Sequence, residues 1–348
     1  MEVESVTSRQ WEKFTDTCEP TSIYLDFRWL ELIEAVYPRL KVWRLVCMNS
    51  NRQPIWLLPL VEIQPLGRLK PMLISLPFGN YGGFLFPRGI ITVMHEETLR
   101  PLNHFFSNSR AFAMEIRLID APIGTFQTDD QFKRFEIIFP DNIEFMWQKV
   151  ITGNARTSVR KADKQGVKII FDYVNALNVF QSIYERHASF HGTPIHHLSW
   201  FKNMASRFCD DMEIVLAQFN GRFVGAQLYL YHRDTAILHS SVTDPAYNNI
   251  PVTDKMLWSS FERIMGKRHI KRFDFGRTRP DPGKLFFKRK WGGKERPIYY
   301  SYLIKEGHTI PKILPENPDL KPAIQLWRRL PMSITRRLGP CLRMRIPT

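Results

Sequence analysis

The chain has 348 residues, 44% of them hydrophobic and 13% aromatic, and a formal net charge of +15. That length allows two domains with a core each, and that apolar content excludes disorder as the general state. The charge implies an anionic partner, for which nucleic acid, a nucleotide-linked sugar and an acidic membrane surface all qualify.

The opening segment, Met1 to Gln10, is polar and acidic and has no apolar core of a secretory signal. No run of about 18 apolar residues follows anywhere, so no spanning helix is expected. Cys18, Cys47, Cys209 and Cys341 are widely spaced with no C-x-x-C pair, against both a zinc site and a disulfide framework. The expected compartment is therefore the reducing cytoplasm.

Ser8 to Thr17 and Asp26 to Tyr37 read as amphipathic helices, the second with Phe27, Leu30, Ile33 and Val36 at helical spacing and Asp26 as N-cap. Val42 to Met48 and Ile55 to Ile63 read as a hairpin. Met72 to Leu76 leads into Pro77 to Gly83, where Gly79, Gly82 and Gly83 surround Tyr81. Such glycines allow either close backbone approach to a ligand or an ordinary glycine-rich turn with Tyr81 packed over it. Thr92 to Ser107 is expected as helix, Ala113 to Ile119 and Phe132 to Phe139 as strands, and the first lobe is expected to end near Pro140.

Asp141 to Lys149 and Gly153 to Gln165 read as helices. Arg156 and Arg160 are four apart, so both project from one face, either to grip phosphate or as a solvated basic face. Val167 to Tyr173 is expected as strand, and Ala176 to Phe190 and His196 to Cys209 as helices. His187, His191, His196 and His197 cluster in sequence, but no carboxylate or thiolate stands at ligand spacing, so no metal site is expected. Met212 to Phe219, Arg222 to His232 and Thr235 to Val242 form a meander turned at Asn220-Gly221 and Arg233-Asp234. A helix, Val252 to Gly266, and a strand, Ile270 to Phe275, complete the lobe. Arg277 and Arg279 then enter a loop stiffened by Pro280 and Pro282, and Leu285 to Trp291 interleaves Phe286, Phe287 and Trp291 with Lys284, Lys288, Arg289 and Lys290. That pattern suits a polyanionic ligand, or a solvated basic face on a strand–loop–strand.

D-F-G-R at Asp274 to Arg277 with F-K-R-K-W-G-G at Phe287 to Gly293 resembles the carboxyl-terminal signature of FemAB-type proteins. Ser75 to Gly83 resembles the amino-terminal signature of their exopolysaccharide-associated branch. Arg156-Thr157-Ser158-Val159-Arg160-Lys161-Ala162 resembles the helix that opens the second half, and Gly192-Thr193-Pro194, Leu330-Pro331 and Gly339-Pro340 follow in order. The resemblance implies an α/β (α+β) fold of two tandem GNAT-like lobes with mixed sheets and a substrate cleft between them. The lobes are expected at residues 1–140 and 141–305, with a basic segment at 306–348.

The same resemblance implies an acyl- or aminoacyltransferase acting on an amine of a cell-envelope or exopolysaccharide precursor, with no bound cofactor. Its donor would be aminoacyl-tRNA or acyl-CoA and its acceptor a nucleotide- or lipid-linked sugar. Lys288 matches the family lysine beside the donor phosphate and developing charge, with Phe287 shaping that site. Arg156, Arg160 and Arg277 become candidate phosphate contacts, Tyr81 the wall of the acceptor cleft, and Trp291 part of the substrate motif or of its structure.

Acyl-CoA is the weaker donor, because Tyr247 to Thr253 lacks the glycine turn whose amides hold pyrophosphate in GNAT enzymes, and Pro251 has no amide to give. A non-catalytic basic RNA-binding or scaffold protein of the same fold is the rival from another class. Beyond Asp319 the chain has no acidic residue while cations gather among Leu326, Trp327, Ile334 and Leu338. This tail is expected either on an anionic membrane surface or packed on the first lobe.

Overall fold

A computed structural model describes the chain except residues 19–21, 90–93, 120, 131, 173, 268, 280, 311–319 and 347–348. The expected helix start at Thr92, the strand end at Tyr173, the loop Pro280 and Asp319 lie outside the described residues. The chain divides into one unit of Met1–Phe132, Pro297–Leu314 and Cys341–Thr348 and another of Lys133–Arg296 and Pro315–Pro340. Each unit holds a seven-stranded mixed sheet.

The first unit runs β1 (Glu2–Ser5), α1 (Ser8–Thr15), α2 (Phe27–Val36), β2 (Lys41–Met48), β3 (Pro54–Ile63), β4 (Met72–Ile74), α3 (Glu96–Asn108), β5 (Ala113–Leu118) and β6 (Gln127–Asp129), and borrows β14 (Tyr299–Ile304) from late in the chain. Its strand order is β1-β2-β3-β4-β5-β14-β6. Asp26 caps α2 as expected, accepting from the Arg28 amide at 2.9 Å. Leu99, Leu102 and Phe106 of α3 pack with Leu58, Leu60, Met114 and Ile116 of the sheet.

The second unit runs β7 (Lys133–Ile138), α4 (Ile143–Phe145) opening into a π turn at Met146–Val150, α5 (Gly153–Lys164), β8 (Lys168–Ile170), α6 (Ala176–His191), α7 (Leu198–Phe208), β9 (Met212–Phe219), β10 (Arg222–His232), β11 (Thr235–Thr243), α8 (Val252–Lys267), β12 (Arg272–Thr278), α9 (Pro282–Lys290), β13 (Lys294–Pro297), α10 (Lys321–Arg329) and α11 (Met332–Arg343). Its strand order is β13-β7-β12-β11-β10-β9-β8. Phe135, Tyr229, Phe261, Phe273 and Trp291 centre the core. Asn220, Gly221 and Arg233 adopt positive φ (48°, 74° and 52°), the hairpin geometry their turns demand.

Two expectations are corrected. The strand after Phe132 joins the second sheet, antiparallel to β12, and β14, expected in the second lobe, lies between β5 and β6 of the first sheet. Which sheet accepts a strand is decided by distant partners, which local alternation does not encode. The run Leu285–Trp291 was expected as the second strand of a strand–loop–strand or as a loop, and is helical: Asp281 Oδ1 accepts from the Lys284 amide at 2.9 Å and Pro282 occupies the first turn. An Asp-Pro pair that looked like loop stiffening is a helix start.

Candidate active site

β11 and β12 run parallel but pair only from Thr235 to Ile237 against Arg272 to Asp274. Past that point the pairing of β12 with β7 skips between Asp274 and Arg277, and Gly276 takes φ +69°. The Gly276 amide donates to the buried Asp274 carboxylate at 2.6 Å. This bulge leaves the carbonyls of Phe275 and Gly276 without ladder partners on β7, and Lys288 of α9 occupies them. Its Nζ donates to Phe275 O at 3.0 Å and Gly276 O at 2.9 Å. It also lies 5.7 Å from the Phe135 ring centroid and 6.0 Å from that of Phe275.

Burial pushes the Lys288 ammonium down to about 8; Asp274 opposes that shift, while Lys284 and Arg277 reinforce it. A protonated lysine has three N–H donors, and among the described residues two are taken. Lys284 stands one helical turn earlier on the same face as Lys288. The arrangement is a cation fixed on two carbonyls with, among the described residues, one donor left, whose chemistry suits a developing oxyanion or an anionic ester.

The rest of the F-K-R-K-W-G-G motif holds α9 in place. Trp291, expected either at the substrate or as structure, is fully buried, with Nε1 donating to Asp254 at 3.1 Å, which favours the structural reading. Lys290 pairs with the same carboxylate at 2.6 Å. Burial raises the Asp254 carboxyl, and these two partners pull it back. Gly292 has φ +85°, and a Cβ there would stand 2.5 Å from Val150 Cγ1. Thr152, the N-cap of α5, donates its amide to Lys290 O at 2.9 Å. Phe287 is half-buried, 5.0 Å from the Lys290 ammonium.

Arg156 and Arg160 converge on Trp147 rather than on one another's ligand. Arg156 Nη1 donates to Trp147 O at 2.9 Å and Ile151 O at 2.8 Å, closing the π turn whose carbonyls the helix does not satisfy. Arg160 is exposed, with its guanidinium 5.6 Å from the Trp147 ring centroid. Arg160 therefore presents a guanidinium to solvent and Arg156 is committed to backbone. Arg277 is half-buried opposite Arg134 in the β12–β7 register.

Tyr81 lies in the first unit with 3% of its surface exposed, edge-on to Tyr24 at 5.6 Å. The loop around it is locked from within. Leu76 and Phe78 take positive φ (50° and 68°), a costly conformation for side-chain-bearing residues. Asn80 donates to the Tyr24 hydroxyl at 2.7 Å, and Arg117, itself paired with Glu115 at 2.7 Å, reaches Gly79 O at 3.4 Å.

Three features went unread in the sequence. The turn before α8 uses its own amides: those of Tyr247, Asn248, Ile250 and Val252 donate to Asp244, Pro245, Tyr247 and Ile250 carbonyls. Asp254 brings a carboxylate to the first turn of α8, where an anion would otherwise be favoured; its only sequence signal was an acidic residue near a helix start. His187 Nδ1 lies 3.0 Å from Thr243 O, and burial lowers its pKa against the raising effect of that backbone contact. Among the described residues no three His, Cys, Asp or Glu side chains gather as a metal site.

Residues 152–289 match a family model described as an acetyltransferase (GNAT) domain. A crystal structure of FemX is 13% identical, with a TM-score of 0.62 over 94% of this chain and 100% of that one. L-PGS from Bacillus licheniformis is 9% identical, with a TM-score of 0.54 over 97% and 98%. A tandem GNAT protein from the clavulanic acid biosynthesis pathway is 10% identical, with a TM-score of 0.54 over 88% and 100%. No curated protein sequence matches this chain. These likenesses show a FemX-like α/β fold of tandem GNAT type with two mixed sheets.

Proposed function

We propose that this chain is a FemAB-type acyl- or aminoacyltransferase that carries an acyl group from a polyanionic donor to an amine on a cell-envelope or exopolysaccharide precursor. The observation that carries the reading is Lys288, half-buried beside the bulge of β12 with two donors fixed on carbonyls and, among the described residues, one to spare. In aminolysis the acceptor amine attacks the ester carbonyl, the C–N bond forms, the C–O bond breaks, and the proton lost by the amine reaches the departing oxygen. Lys288 would steady the tetrahedral oxyanion, and Arg160 and Arg277 would contact donor or acceptor phosphates.

Aminoacyl-tRNA fits as donor better than acyl-CoA, because four amides of the turn before α8 donate to its own carbonyls, Pro251 has no amide to give, and Asp254 stands in the first turn of that helix. The acyl-CoA reading keeps two supports: the family model is an acetyltransferase one, and a tandem GNAT neighbour is named as a structure without AcCoA. Incubating the purified protein with an amino-sugar nucleotide and labelled aminoacyl-tRNA or acetyl-CoA separates the donors. Label transfer from aminoacyl-tRNA that Lys288→Met slows by about two to three orders of magnitude is the expected result. Calorimetric binding of acetyl-CoA with transfer from it would establish the second reading, and transfer from neither would remove both.

A further inference from the structure

We propose that the C-terminal helices α10 and α11 form a docking surface for an anionic lipid bilayer. α10 buries Trp327 and sets Ile324 against Gly192, yet leaves Leu326 64% exposed. α11 is inverted relative to an ordinary amphipathic helix. It buries Thr335 and Gly339, the latter backed against Ile195, while Ile334 and Leu338 are 39% and 49% exposed. Those two aliphatic residues are one turn apart and share a face. Arg336 fixes which face that is, because its guanidinium pairs with the buried Glu185 at 2.7 Å.

The same two helices carry Lys321, Arg329 and Arg337, all exposed and, among the described residues, without a carboxylate partner. No acidic residue follows Asp319 in the sequence. Phosphodiesters of RNA would use such cations but gain nothing from solvent-facing Leu and Ile. The boundary between anionic headgroups and acyl chains uses both. Pro331 separates the helices and Pro340 interrupts the second, so the contact is shallow. It does not depend on the reaction proposed above; it would bring the protein to the surface where lipid-linked precursors reside.

Co-sedimentation of the full chain with vesicles of phosphatidylglycerol and phosphatidylcholine, against phosphatidylcholine alone, tests the surface. Binding to the anionic vesicles only is expected, about tenfold weaker for L326S/I334S/L338S and for R329E/R337E, with thermal unfolding unchanged in the second variant and only modestly lowered in the first, whose aliphatic side chains are partly exposed. Absence of wild-type binding, or a triple aliphatic variant that binds as wild type, would overturn the proposal. So would variants that lose tRNA binding while vesicle binding is untouched. Should the aliphatic variant misfold, unaltered vesicle binding by R329E/R337E would be equally decisive.

Discussion

The glycine-bearing loop Ser75–Gly83 and the segment Phe273–Gly293 both stand out in the sequence, but the structure uses them in opposite ways. In the first, Tyr81 is inside, Asn80 is spent on Tyr24, and Arg117 braces the backbone from β5. In the second, Trp291 is equally interior, yet the helix it anchors carries a lysine with, among the described residues, two of its three donors taken. A recognisable motif therefore mixes anchors with a side chain left open to a further partner. Only the accounting of donors and acceptors tells them apart.

The largest expected effect is on the first region. Arg117→Met would strand the Glu115 carboxylate in an interior where, among the described residues, only the Tyr302 hydroxyl still donates to it, at 3.1 Å. A loss of about 3–5 kcal/mol is expected from breaking such a buried pair, read as a lower urea midpoint. An unchanged midpoint would mean that the loop does not need its brace. Lys288→Met should instead leave the fold intact and slow transfer by about two to three orders of magnitude, the usual cost of removing one oxyanion donor. Single-turnover assays with labelled donor would show it, and a variant within a few-fold of wild type would reduce Lys288 to scaffolding.

Gly292→Ala tests the anchor. A Cβ at 2.5 Å from Val150 Cγ1, on a backbone at φ +85°, should cost about 1–3 kcal/mol and loosen α9. Transfer and stability should then fall together, whereas Lys288→Met lowers only the first. Gly67→Ala, also at positive φ but with open space around it, is the control for backbone strain alone.

Much of the fold could be read in advance because it is local. The periodicity of Phe27, Leu30 and Ile33, the Asp26 cap, and the Asn220-Gly221 and Arg233-Asp234 turns each act within a few residues. The placement of β7 and β14 could not, since their partners are β12 in one case and β5 and β6 in the other. At the candidate site the residue types were visible and the bonds were not. Arg156 and Arg160 at one-turn spacing read either as a phosphate grip or as a solvated basic face, but Arg156 is consumed by the carbonyls of Trp147 and Ile151, groups orphaned by a π turn that no side-chain pattern announces. Asp254 escaped notice because its partners, Lys290 and Trp291, lie far along the chain.

The smallest effect, and the one that discriminates most, is on pH. Because burial holds the folded-state pKa of Lys288 at about 8, the unfolded chain binds the extra proton between that value and the ordinary lysine range. Folding stability should therefore rise with pH across that window, and the penalty should be complete below about 8. Lys288→Met would flatten the slope and gain stability at neutral pH, on the order of a few kcal/mol at most. Activity should run the other way. If the ammonium is the form that meets the oxyanion, transfer declines as pH rises through about 8, and Lys288→Arg, permanently charged, moves that decline upward in whatever activity it retains. A rate that climbs through the same range would instead make neutral Lys288 a proton acceptor for the incoming amine, the opposite protonation state at the same two carbonyls.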